Sequence, residues 1–126
     1  MTNFIGEFDC KLDAKGRLMV PAGLRKQLSP EANESFVVNR GFEKCLVLYP
    51  KNDWERISAE VNQLNQYVKK NRDFIRYFYR GATELSLDNT GRILLPKRLQ
   101  EYGAFEKELV LFAYSDRIEI WDKDTY

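Results

Sequence analysis

Residues 8–12, Phe-Asp-Cys-Lys-Leu, alternate apolar and polar positions, the period of a strand with one buried face. Asp13-Ala14-Lys15-Gly16 follows with the composition of a tight turn. An Asp side chain there accepts a backbone N–H, and Gly tolerates positive φ at the exit. Residues 17–20 return as a second strand. Pro21 has the fixed φ and missing N–H suited to a first helical turn, so a short helix is expected from Pro21 to about Leu28. Residues 36–40 and 45–49 are apolar-rich and read as two strands joined around Gly41-Phe42-Glu43-Lys44. The order then repeats. Residues 83–87 form a strand, Asp88-Asn89-Thr90-Gly91 a turn and residues 92–95 a strand. Pro96 opens a helix ending near Gly103, and residues 108–112 and 117–121 close the series as strands. Between the two series the period changes. Trp54, Ile57, Val61, Leu64 and Val68 recur at steps of three and four, an amphipathic helical stripe. Asn52 and Glu55 have the spacing of a capping box. A second helix is expected from about Asn71 to Gly81, with Phe74, Tyr77 and Phe78 on one side and Arg72, Arg76 and Arg80 on another.

The two series are copies. Residues 12–25 and 87–100 align at a constant offset, with Leu, Asp, Gly, Arg, Pro and Leu coinciding. The triplet Leu18-Met19-Val20 is matched by Ile93-Leu94-Leu95, and the correspondence runs on to residues 46–50 against 118–122. One fold built from two pseudo-equivalent halves is expected, divided as residues 1–50, a helical linker over 51–81, and residues 82–126.

A chain of 126 residues is a common length for one domain and buries enough surface for a core without staples. No apolar run approaches the roughly 18 residues of a membrane span, and the first residues lack the charged and apolar regions of a secretion signal. Cys10 and Cys45 read as two reduced, buried thiols of a cytosolic protein. With no histidine, the commonest general base and metal ligand is missing. No phosphate loop, dinucleotide fingerprint or nucleophile elbow occurs. Neither an enzyme nor a cofactor or metal site is expected. The net charge of +1 conceals an uneven spread: residues 51–81 carry seven basic and four acidic side chains, residues 104–126 three and six. Nucleic-acid binding from so neutral a chain requires positive charge focused on one face.

The repeated turn has the pattern Asp-x-x-Gly-Arg, joining Asp13, Gly16 and Arg17 and again Asp88, Gly91 and Arg92. Two readings stand side by side. In the structural one, Asp closes the turn and Arg stiffens the hairpin. In the functional one, each guanidinium offers a planar fork for phosphate or the guanine edge, and Asp orders it before binding. Lys15 adds charge in the first copy where Thr90 stands in the second, which makes the first turn the stronger phosphate candidate. Lys11, Arg25, Lys26, Lys97 and Arg98 widen the patch or are ordinary surface charges. The arginine row at 72, 76 and 80 is either a solvated face or an interface with an acidic partner.

The doubled Asp-x-x-Gly-Arg-[Leu/Ile]-x-[Val/Leu]-Pro motif, with Tyr79-Arg80-Gly81-Ala82-Thr83-Glu84 before its second copy, closely resembles the MraZ family within the wider AbrB/SpoVT-like group. The resemblance covers residues 4–121. It implies an α+β, mainly β fold of two tandem swapped-hairpin barrel units, related by a pseudo-twofold axis and joined by helices. It implies a bacterial, cytoplasmic, nucleoid-associated transcriptional regulator. Such a regulator binds short tandem direct repeats of double-stranded DNA at the promoter of the division and cell wall gene cluster, as a closed homo-oligomeric ring. It further implies DNA contact by Arg17 and Arg92, with Asp13 and Asp88 as orienters. Family members often continue into a further helix beyond the last strand, so a shortened C-terminus is expected here. The competing roles are a protein-interaction scaffold with purely structural turns, and an antitoxin-like regulator paired with a second protein.

Overall fold

A computed structural model describes residues 3–28 and 35–126. The first half comprises β1 (Phe4–Lys11), β2 (Arg17–Met19), helix α1 (Ala22–Arg25), β3 (Ser35–Arg40) and β4 (Leu46–Pro50). Helices α2 (Lys51–Asn62) and α3 (Lys69–Tyr79) follow. The second half repeats the order as β5 (Thr83–Ser86), β6 (Arg92–Leu94), α4 (Lys97–Tyr102), β7 (Glu108–Ser115) and β8 (Arg117–Asp122).

The halves share their sheets. Six strands run in the order β1-β7-β8-β4-β3-β5, and β2 pairs with β6 in a separate two-stranded ladder. Exchanging each strand for its counterpart in the other half turns the six-strand order into its own reverse. The exchange axis therefore falls between β4 and β8, which pair antiparallel through Leu46↔Ile120 and Leu48↔Ile118. Within each half one hairpin forms, β3–β4 and β7–β8. The first strand of each half pairs instead with the other half, β1 with β7 and β5 with β3. The expectation of barrel units is corrected here. The six-stranded sheet is open, with β1 and β5 as its edges. The short strands β2 and β6 pair with each other outside that sheet.

The core follows from the alternation. Phe36, Val38, Leu46, Leu48, Leu109, Leu111, Ile118 and Ile120 pack with Leu18, Leu24, Ile93, Leu95 and Leu99 from the ladder and the short helices in one buried cluster. The ladder thus lies over the sheet face with its inner residues in the core. Cys10 and Cys45 are free thiols, and burial pushes each up to about 12, so both stay protonated and unreactive.

The helices depart from expectation in their limits. Helix α1 stops at Arg25 and α2 at Asn62, so Leu64 and Val68 lie beyond the stripe's helix. Helix α3 runs from Lys69, earlier than expected, to Tyr79. The Asn52–Glu55 capping box does not form. Pro50 occupies the N-cap of α2 without a side-chain hydrogen bond, which puts Asn52 inside the helix. Pro50 enters directly from β4, so no residue is left to act as a side-chain cap. Helices α2 and α3 meet through aromatic rings, with Trp54 stacked on Phe78 at 4.9 Å and Tyr79 donating to Asn62 at 3.0 Å. Among the described residues, no helix is long and apolar enough to cross a membrane.

Candidate nucleic-acid interface

Each repeated turn is closed by the same backbone bonds. The Asp13 N–H donates to the Arg17 carbonyl at 2.8 Å, and the Gly16 N–H to the Asp13 carbonyl at 3.0 Å. In the second copy Asp88 donates to Arg92 at 2.8 Å and Gly91 to Asp88 at 3.1 Å. Gly16 and Gly91 have φ of +83° and +81°, a left-handed conformation that costs other L-residues about 1–2 kcal/mol. Asp13 Oδ1 accepts the N–H groups of Lys15 and Arg17, both at 2.9 Å, and Asp88 Oδ1 accepts those of Thr90 and Arg92 at the same distance. The carboxylate in each copy therefore holds the turn closed from inside.

The second carboxylate oxygen is used differently. Asp13 Oδ2 accepts Arg17 Nε at 3.1 Å. In the other turn Thr90 intervenes: its hydroxyl donates to Asp88 Oδ1 at 2.8 Å and accepts from Arg92 Nε at 2.8 Å, and Arg92 Nε lies 3.3 Å from Asp88 Oδ2. Each arginine is clamped at Nε. Among the described residues, neither gives a hydrogen bond from its terminal nitrogens. Those forks are ordered and keep their hydrogen-bonding capacity, the arrangement that lowers the entropic cost of gripping an oxyanion or a base edge.

The ladder brings the two turns together. Arg17 stands opposite Leu94, Leu18 opposite Ile93 and Met19 opposite Arg92. Val20 donates to the Gly91 carbonyl at 3.0 Å and Leu95 to that of Gly16 at 2.9 Å, so each turn is tied to the other half's strand. Arg92 Nη1 lies 4.0 Å from Asp13 Oδ2, an ion pair across the halves. Strand alternation then sorts the side chains. Leu18 and Ile93 go into the core at 1% and 0% exposure, while Met19 and Leu94 stand outward at 55% and 56%. Arg17, Met19, Arg92 and Leu94 form one outer face on which guanidinium and apolar side chains alternate. Met19 and Leu94 were not separated from the core triplets by sequence reasoning, although strict alternation from Arg17 onward would have placed them outside.

The other predicted positions fall around this face. Lys15 and Lys97 line a shallow groove beside the first turn with Gly16, Leu94 and Gln100. A Cβ on Gly91 would come within 2.5 Å of Arg25 Nη1, so Arg25 packs against the second turn. Lys11 and Lys26 are exposed and neither lines the groove. The arginine row is partly committed elsewhere: Arg72 donates to the Gln66 carbonyl at 2.9 Å and Arg76 pairs with Asp73 at 3.5 Å. At the same offset as the turns Gln100 stands for Arg25 and Lys97 for Ala22, so the helix beside each turn brings it one cation, at a different position, and the charge difference between the turns rests on Lys15 against Thr90.

A model of the family described as "MraZ protein, putative antitoxin-like" matches residues 3–77 and again residues 78–126. The chain belongs to the MraZ family. A relative named Transcriptional regulator MraZ from Christiangramia forsetii is 48% identical over 127 residues, spanning 100% of this chain and 82% of its own length. A relative of the same name from Flavobacterium psychrophilum is 46% identical, spanning 100% and 81%. Another from Desulforamulus reducens is 41% identical over 123 residues, spanning 98% and 84%. These relatives are named for transcription and not for catalysis.

The N–H of Arg92 and the hydroxyl of Thr90 hold Asp88 down from 3.8 to about 2, and the N–H of Arg17 leads the same lowering at Asp13. A depressed carboxylate contributes its stabilisation above its unfolded value and loses it as pH falls through the folded one. The turns should therefore stay intact down to about pH 4, with the Arg92 amide resonance titrating near 2. Because the chain has no histidine, DNA affinity at constant ionic strength should be flat between about pH 5.5 and 8. Gly91→Ala should cost about 1–2 kcal/mol in chemical denaturation and displace Arg25, whereas Ala22→Gly on exposed α1 should cost about 1 kcal/mol or less.

Proposed function

We propose that this protein is a sequence-specific, DNA-binding transcriptional regulator whose contact surface is the outer face of the β2–β6 ladder and its two turns. The observation that carries this reading is the pair of Arg17 and Arg92, clamped at Nε and brought onto one face, their terminal nitrogens giving no hydrogen bond to a described residue. A two-stranded ribbon fits the major groove, where an arginine fork matches the O6 and N7 edge of guanine. Met19 and Leu94, exposed between the arginines, suit apolar contact with thymine methyl groups. Lys15 and Lys97 then reach the flanking phosphates, which position the ladder without reading sequence. Asp13 and Asp88 orient the arginines, and Gly16 and Gly91 permit the turns. The names of the MraZ relatives support transcription as the process.

Two half-units over residues 1–50 and 82–126, linked by residues 51–81 and related to the swapped-hairpin plan, present two similar but unequal turns. Short tandem direct repeats at the promoter of the division and cell wall cluster suit a closed ring of such subunits. Each subunit makes a few contacts, and linkage multiplies them. Ring closure needs a head-to-tail interface, and charge reversal at Arg72, Arg76 and Arg80 tests whether the linker face supplies one side through the assembly mass. The site of action is the cytoplasm, at the nucleoid.

Fluorescence anisotropy at physiological salt tests the function. A duplex of tandem repeats from the promoter of the chain's own operon should bind in preference to a scrambled duplex of equal length. The affinity should fall with salt by about 0.9 log unit per log unit of salt for every phosphate neutralised. Equal, weak binding to both duplexes would refute sequence recognition and favour a scaffold role.

A further inference from the structure

A second basic site lies outside the ladder. Arg40 ends β3 with its guanidinium between two aromatic rings: Cζ is 5.2 Å from the Tyr77 centroid and 5.5 Å from that of Tyr102. Its Nε and Nη2 atoms are buried and have no hydrogen-bond partner. Both tyrosine hydroxyls donate to the Gly41 carbonyl, at 3.2 and 2.9 Å, and neither accepts from those two nitrogens. Gly81 packs directly on the side chain, and a Cβ there would lie 2.8 Å from Arg40 Cγ. Buried cations are normally paired, and a cation without a partner calls for a ligand or ion.

Arg40 lines a cavity of about 350 Å³ together with Arg80, Arg98, Thr83, Leu99 and Tyr102. No aspartate or glutamate is among its described lining residues, and none of the three arginines forms an ion pair with a described residue. Glu43 and Glu119 line the neighbouring cavity on the other side of Arg40, of about 230 Å³. Three guanidiniums at one concavity, with aromatic and aliphatic walls, favour a ligand carrying a compact oxyanion. The volume lies at the lower end of the range for small-molecule pockets, larger than a bare phosphate needs. We propose that this cavity is a binding site for a phosphate-bearing small molecule, of about the size of a sugar phosphate or mononucleotide, with Arg40, Arg80 and Arg98 holding the phosphate.

The cavity is distinct from the ladder face, and the primary test needs no DNA. Inorganic phosphate is titrated into the full chain by calorimetry at constant ionic strength, with chloride as the matched control. Saturable binding in the millimolar range or below is expected, together with a rise in melting temperature that chloride does not give. Arg80→Gln with Arg98→Gln, both at exposed positions, should weaken phosphate by roughly tenfold or more with the fold unchanged. Arg40→Met should abolish binding. Should Arg40→Met fail to fold, the Arg80→Gln, Arg98→Gln protein still decides. No saturable phosphate binding, or equal binding by the variants, would overturn the proposal. So would a change of assembly mass in Arg80→Gln, Arg98→Gln without phosphate binding by the parent, which would assign the cavity to a carboxylate of a second copy. Loss of DNA affinity in that variant, again without phosphate binding by the parent, would assign it to the DNA backbone and equally overturn it.

Discussion

Replacing Arg17 and Arg92 together with alanine is expected to weaken binding to the repeat duplex by roughly 30-fold to 10⁴-fold while leaving the fold intact, since each well-placed fork contributes about 1–3 kcal/mol of discrimination. The folded state should tolerate the change. The ion pairs to Asp13 and Asp88 are partly exposed, with arginine side chains at 29% and 30%, and such pairs are worth about 0–1 kcal/mol. The turns themselves are held by backbone bonds and by Asp Oδ1, which the substitution keeps. The single variants should be unequal. Lys15 and Lys97 still flank the first turn when Arg17 is lost, whereas at the second Arg25 packs against Gly91 and Thr90 brings no charge. Arg17→Lys should not restore binding, because a lysine keeps the charge but not the fork. Anisotropy and circular dichroism melting on the same samples check both halves of the expectation. A double variant that melts early and binds normally when folded would make the turns architecture.

Truncating the ladder's inner pair should have the largest effect on stability. Ile93 is fully buried opposite Leu18, and both belong to the main core cluster. Ile93→Ala should cost about 2–5 kcal/mol, the range for a large buried aliphatic residue, and Leu18→Ala should cost a similar amount. That is a large share of the roughly 5–15 kcal/mol that holds a domain of this kind together. The pair touches across the exchange axis of the ladder, so the double variant should deviate from additivity. Denaturant titrations with circular dichroism detection measure both. Near-neutral values would show that the ladder is not anchored through these residues. Loss of DNA affinity should accompany the loss of stability here, in contrast to the arginine variants, because the ladder carries both guanidiniums.

Much of the local structure could be read from the chain. The doubled motif places both turns, and alternation places β2, β6 and the two short helices within a few residues of their observed limits. The pairing of strands was less accessible. Nothing in the local pattern of residues 4–11 says that β1 pairs with β7 and not with a strand of its own half. That choice is made by contacts far apart in sequence, and it also leaves the sheet open where barrels were expected. Met19 and Leu94 were visible only as members of apolar triplets, and the period-2 rule that turns them outward applies once β2 and β6 are known to lie over the sheet. Arg40 gave no signal at all. It is one basic residue at the end of an apolar strand, and its burial depends on Tyr77, Gly81 and Tyr102, brought in from three other segments.

The central claim is that the two turns and the ladder between them meet DNA, and photo-cross-linking tests it directly. A benzophenone amino acid placed at Met19 or Leu94, both exposed on the ladder, and at Phe42, exposed elsewhere at 78%, is irradiated with the repeat duplex. The account predicts adducts at positions 19 and 94, lost on competition with unlabelled repeats, and none at 42. Adducts at 42 with none at 19 and 94 would contradict it and move the interface to another face of the molecule.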